Sequence, residues 1–158
     1  MTGTEYAQPG GGEVTARKII DAPQAKVFEA LRAWERQGEW IPFTRVRVLE
    51  GDGGEGSLIE ALTGNGDRGL RDLMRVVKID PPFEIRVVHI GGLLRGPGVL
   101  RCTALAGDRT QVVWHEWFHV PAGVAGRVAW PLLWPGSAVS LKIALRRLAR
   151  LVERGALP

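Results

Sequence analysis

What this chain of 158 residues has little of narrows the reading first. It has one cysteine, Cys102, so no intrachain disulfide can form and nothing points to an oxidising compartment. Lysine is scarce: Lys18, Lys26, Lys78 and Lys142 are the only four, and the net charge of +4 comes mostly from arginine. Those arginines are scattered from Arg17 to Arg154, with one local cluster at Arg146, Arg147 and Arg150. A nucleic-acid binder concentrates basic charge in a patch with aromatics nearby, so no nucleic-acid partner is expected. Long apolar runs are also missing. The longest uncharged stretch, Val128 to Leu141, is shorter than the roughly 20 residues of a spanning helix. The N-terminal stretch carries Glu5, Glu13 and Gly10-Gly11-Gly12 rather than an apolar segment. No signal peptide is expected, and the expected location is cytoplasmic.

What is present begins at the C-terminal end. Between Ser137 and Arg154, apolar residues fall at Leu141, Ala144, Leu145, Leu148, Leu151 and Val152. That is one face of a helix. Lys142, Arg146, Arg150 and Arg154 recur on another face, in the half where the helix dipole favours cations. Pro135-Gly136 before it and Gly155 after it punctuate both ends. A helix this apolar on one side needs a sheet to lie against.

The rest of the chain supplies the sheet. Residues 1–12 read as a flexible tail and 13–158 as a single domain. A first strand is predicted over Val14–Ile20. A helix then starts at Asp21-Ala22-Pro23, with Asp21 placed to cap it and Val27, Phe28 and Leu31 on its apolar side. A second short helix is predicted from Trp34 to Gln37. From Thr44 the period changes to two, and strands are predicted over 44–48, 57–63, 70–79, 83–90, 99–105 and 110–120, with 91–98 as a loop. Six strands joined by turns make an antiparallel meander; the first strand brings the count to seven. Residues 122–136 hold Trp130-Pro131-Leu132-Leu133-Trp134-Pro135 and read as a short helix leading into the long one. The class is α+β: a bent seven-stranded antiparallel sheet wrapped around the last helix. Such a grip leaves a space between helix and sheet.

The chain resembles the polyketide cyclase/dehydrase-type branch of the START-like (SRPBCC, helix-grip) superfamily. Ile20-Asp21-Ala22-Pro23 with Val27-Phe28 and Leu31, Trp40-Ile41-Pro42-Phe43 and Gly53-Gly54-Glu55-Gly56-Ser57 carry the likeness, with Asp80-Pro81-Pro82 at a strand junction. So do Thr110 with Trp114 and Glu116, and the ending Leu145-Arg146-Arg147-Leu148-Ala149-Arg150-Leu151. It covers roughly residues 14–154. The resemblance implies the helix-grip fold and a deep, mostly apolar cavity under the long helix. Members bind lipids, polyketides, hormones or other hydrophobic molecules, and some catalyse cyclisation or dehydration. No shared catalytic motif of the branch transfers to this chain.

The loudest string is His115-Glu116-Trp117-Phe118-His119, an H-E-x-x-H pattern. On a helix it would gather two imidazoles around one zinc ion. Here it lies in a β-branched and aromatic stretch, where positions four apart are about 13 Å apart. No metal site and no cofactor are expected. Gly51-x-Gly53-x-x-Gly56 and Gly64-x-Gly66-x-x-Gly69 fit a dinucleotide fingerprint. Both lie between strands rather than opening a helix, so they read as turns.

Alternation then assigns the inner faces. Val112, Trp114, Glu116, Phe118 and Val120 share one side of the last strand. Phe83, Ile85, Val87 and His89 point inward from theirs, with Glu84 and Arg86 outside. Asp72, Met74 and Val76 share a third inner face, and Leu100, Cys102 and Ala104 a fourth. Asp72, His89 and Glu116 are therefore the candidate catalytic residues, the few polar groups of an apolar pocket. The expected cavity residues are Met74, Val76, Ile85, Val87, Cys102, Trp114, Phe118, Trp130, Trp134, Leu141, Leu145 and Leu148. Three functions fit: a cyclase or dehydratase acting on a small hydrophobic molecule, a carrier or sensor of one, and a module touching a membrane or partner. The third would use Trp130, Trp134 and the arginine stripe.

Overall fold

A computed structural model describes residues 11–91, 94–119 and 124–157, with the backbone alone for 119 and 124–136. Strand β1 is Gly11–Ile20, so Gly11 and Gly12 of the expected tail are already strand, paired with His119 and Phe118. Helix α1 is Gln24–Arg32, followed by a 3-10 helix, Trp34–Glu39. Then come β2 (Thr44–Glu50), β3 (Leu58–Asn65), β4 (Arg68–Asp80), β5 (Glu84–Ile90), β6 (Arg95–Leu105) and β7 (Arg109–His119). Helix α2, Val124–Glu153, closes the order. The predicted short helix and long helix are one continuous element.

All seven strands form one antiparallel sheet in the order β1-β7-β6-β5-β4-β3-β2. Each hairpin of the meander pairs with its neighbour, and β1 closes on β7. Register shifts between Val48 and Glu50 and between Val76 and Lys78 insert extra residues. Such bulges bend a sheet and increase its twist.

The start of α1 departs from expectation. Pro23 is the N-cap residue and no side chain caps the helix. The Asp21 amide instead donates to Glu153 at 3.0 Å, tying the strand–helix junction to the end of α2. That end is closed in turn by Gly155, whose φ of 70° only glycine adopts freely. The Gly155 amide donates to Val152 O and the Ala156 amide to Leu151 O, a Schellman closure.

The core lies between α2, α1 and the concave face. Ala144, Leu145, Leu148, Ala149 and Val152 of α2 are buried, as are Val27, Phe28, Ala30 and Leu31 of α1. Arg146, Arg147 and Arg150 face solvent. The convex face holds its buried carboxylates between arginines. Glu60 meets Arg47 at 2.6 Å and Arg71 at 2.8 Å, and Glu84 meets Arg101 at 2.7 Å and Arg86. Glu84 is thus an outer-face residue, as its position in the alternation implies, yet buried under its partners. Phe83 does not point inward: it lies in the turn before β5 and is 54% exposed. Ala104, near the end of β6, is exposed too.

Candidate functional site

A cavity of about 490 Å³ lies between the concave sheet, the 3-10 segment and the Ser137–Leu141 stretch of α2. Its wall is mostly apolar. Met74, Ile85, Val87, Trp114 and Phe118, whose inward faces strand alternation assigns, line it, as does Leu141 of the helical stripe. Val76, Cys102, Leu145 and Leu148 do not. They are at most 2% exposed and belong to the packed core. The reason is the approach of α2 to the sheet. Beyond Leu141 its small and branched residues, Ala144 to Val152, close onto the strands and leave no space. The side chains of Trp130 and Trp134 lie outside the described residues. Burial also pushes the Cys102 thiol up to about 12, so it stays protonated at neutral pH.

Asp72, His89 and Glu116 meet on one wall of this cavity. His89 Nδ1 lies 2.9 and 2.8 Å from the two Asp72 oxygens, and Nε2 donates to Glu116 Oε2 at 2.8 Å. The Trp114 indole N–H donates to Glu116 Oε1, and the Phe118 ring tilts against the imidazole at 5.7 Å. All three ionisable side chains are largely buried, at 13% (Asp72), 5% (His89) and 6% (Glu116) exposure.

Register explains how three separate strands reach one point. His89 pairs with Met74, so Asp72 is its diagonal neighbour on β4. That distance is within reach of long side chains. Glu116 is two strands away, across β6. The β6 partner of His89 is Gly96, and the partner of Glu116 is Gly98. Neither has a side chain, so imidazole and carboxylate meet over the bare β6 backbone. A Cβ at Gly98 would stand 2.4 Å from Glu116 Oε2. The predicted loop at 91–98 therefore hides the residue that makes the cluster possible. Arg95–Gly98 is strand, and Gly98 is clearance for the cluster rather than turn, whereas a Cβ at Gly96 would meet the Trp117 carbonyl of β7.

The electrostatics follow from this geometry. Burial alone would lower the His89 pKa. The charge of Glu116, and hydrogen bonds and charge from Asp72 and Glu116, outweigh it and hold the imidazole up at about 10. At neutral pH His89 is an imidazolium with both ring N–H groups engaged.

Alternation missed the far end of the cavity. Gln37, Trp40, Thr44, Ala61, Thr63 and Ser140 also line it. Thr44 and Thr63 are directly opposed on β2 and β3, and their hydroxyls share a 2.8 Å hydrogen bond. Trp34 and Trp40 read from sequence as core packing. They are buried and also form cavity wall, with Trp40 edge-on to Trp114 at 5.8 Å. Two threonines on the apolar-alternating faces of neighbouring strands were the available signal.

The H-E-x-x-H string lies on β7, and Glu116 faces away from His115. His115 stacks on Trp117 at 3.6 Å and pairs with Glu13 on β1. Among the described residues, no group of three His, Cys, Asp or Glu side chains is arranged to hold a metal ion.

Comparison with known proteins agrees with the architecture. No curated protein matches the chain in sequence. Among solved structures, TTHA0849 from Thermus thermophilus superposes with a TM-score of 0.78 at 16% identity, over 92% of this chain and 99% of that one. The Zhui aromatase/cyclase from Streptomyces sp. R1128 gives 0.78 at 20% identity, over 92% and 96%. Ara h 8.0201 gives 0.59 at 18%, over 89% and 99%. At these identities the likeness is one of fold. The sequence itself carries the family signature: residues 12–153 match the model described as "Polyketide cyclase / dehydrase and lipid transport". Matched over nearly its whole length, with the seven-stranded sheet and C-terminal helix of the helix-grip fold, the chain belongs to that polyketide cyclase/dehydrase and lipid transport family.

Proposed function

We propose that this protein binds a small polyketide- or lipid-like molecule in the cavity between α2 and the sheet, and that Asp72, His89 and Glu116 handle protons there. One observation carries the reading: among the described residues, one cluster of ionisable side chains stands in the wall of a mostly apolar cavity of about 490 Å³. That volume falls in the range of roughly 300–1,000 Å³ typical of small-molecule sites. Residues 13–158 act as one ligand-binding unit, in the cytoplasm. Among the described residues no helix is long and apolar enough to cross a membrane.

The chemistry that suits the cluster is cyclisation or dehydration by proton transfer. Such a step removes a proton beside a carbonyl and returns one to a departing hydroxyl. Both ring nitrogens of His89 are engaged, so a ligand would exchange its proton with an oxygen of Asp72 or Glu116. His89 would then redistribute charge along the chain of hydrogen bonds. The family description and the fold shared with an aromatase/cyclase support this class.

The same occupancy of His89 favours a second reading, carriage without turnover. An imidazolium with no free lone pair is not a general base. A contact between a membrane and the Trp130–Trp134 segment is a third, and vesicle binding that weakens at high salt would support it.

Native mass spectrometry of the purified protein, beside its denatured mass, tests the binding reading. An organic adduct lost on denaturation is expected. Glu116→Gln should then reduce binding or turnover while the protein stays folded. Unchanged binding, turnover and stability would place Glu116 outside the site. Enzyme and carrier separate on whether the bound molecule comes off altered.

A further inference from the structure

The charge inside the cavity is opposite in sign to that of the chain. The protein carries +4 overall. Among the described residues, those lining the cavity include two carboxylates, one imidazole and no lysine or arginine. Two carboxylates and one imidazole sharing a single dissociable proton sum to −1, wherever among the three that proton sits. Elsewhere the fold neutralises its buried carboxylates differently. Glu60 and Glu84 each have two arginine partners. The cavity cluster has one cation for two carboxylates. A net charge left at a low-dielectric wall is costly unless something compensates it.

The surroundings suit one kind of compensation. Trp34, Trp40, Trp114 and Phe118 line the same cavity. Aromatic faces attract organic cations, most strongly where water is excluded. Asp72 is the more exposed of the two carboxylates, 13% against 6%, so a ligand group entering the cavity would reach it first. We propose that the cavity selects a hydrophobic molecule bearing a protonated amine, and discriminates against carboxylates and phosphates of the same length. This rests on the ligand-binding reading above and adds the charge class of the ligand.

The test uses the whole protein and a neutral fluorescent probe, N-phenyl-1-naphthylamine, displaced at pH 7 by decylamine, decanol or decanoate. Decylamine should displace the probe at concentrations about tenfold or more below those needed for decanoate, as expected for opposite charges beside a poorly solvated carboxylate. The gap should persist at high salt, because a buried charge is little screened, whereas attraction to the basic surface is. In Asp72→Asn the gap should narrow to less than threefold. Glu116→Gln serves as the second variant where Asp72→Asn does not fold. Displacement by decanoate as readily as by decylamine would overturn the proposal with the cavity still shown to bind. So would a gap that survives in both variants. Failure of the probe and all three competitors to bind wild-type protein would overturn the binding reading itself, and this inference with it.

Discussion

Gly98 offers the sharpest perturbation, because it changes one methyl group and strikes one hydrogen bond. Its backbone is not in the left-handed region, so alanine is conformationally allowed there. The added Cβ would nevertheless stand 2.4 Å from Glu116 Oε2 and 3.0 Å from both Cδ and Oε1. Ordinary contact begins at 3.4 Å, so the carboxylate must retreat by 3.4 − 2.4 = 1.0 Å. Side chains of this length usually yield cheaply. This one is buried and pinned at both oxygens, by Trp114 and by His89. A retreat directed away from His89 lengthens the 2.8 Å bond to 2.8 + 1.0 = 3.8 Å, beyond hydrogen-bonding distance, and a retreat in another direction misaligns it. A charged hydrogen bond lost in a buried site costs about 1.5–3 kcal/mol. Leaving the partner charge poorly compensated can add to that, up to about 3–5 kcal/mol. Gly98→Ala should therefore lose about 2–4 kcal/mol in urea unfolding, on the scale of those principles. His89 should titrate below its wild-type value by side-chain NMR, since one of its two anions has moved away. Gly91→Ala is the control, because its Cβ would meet nothing nearer than 3.6 Å. A Gly98→Ala protein as stable as wild type, with His89 titrating unchanged, would refute the account of the cluster.

The raised pKa of His89 makes stability depend on pH in a definite direction. The folded value of about 10 exceeds the ordinary 6.5. The contribution is therefore fully present below pH 6.5 and lost as pH rises through 10, at roughly 1.4 kcal/mol per unit of difference. Urea unfolding of wild type against His89→Gln at pH 7 and pH 10.5 should show the two proteins converging at the higher pH. Leu148 and Leu141 separate core from cavity. Leu148 is fully buried, and Leu148→Ala should cost about 2–5 kcal/mol. Leu141 lines the cavity and is only partly buried, so Leu141→Ala should cost less in thermal unfolding and alter probe binding more. Equal destabilisation by both would mean that the cavity is not open beside Leu141.

Local pattern carried most of the architecture. Alternation in 44–48, 57–63 and 110–120, with turn residues between, determines an antiparallel meander because side chains on a strand alternate faces whatever lies beyond it. The stripe from Leu141 to Val152 determines a helix with one buried side. The same alternation placed Asp72, His89 and Glu116 on inner faces, and kept the H-E-x-x-H string off a helix. It could not say that these three residues touch, because register between strands is decided by pairing and not by any one strand. Gly98 shows why: in sequence it reads as a loop glycine, and only with β5 and β7 on either side does it become the gap through which His89 reaches Glu116. Distance along α2 is the other decision of the tertiary structure. Leu141, Leu145 and Leu148 are equivalent on the helical wheel, but the helix closes onto the sheet beyond Leu141, so the first lines a cavity and the others fill a core.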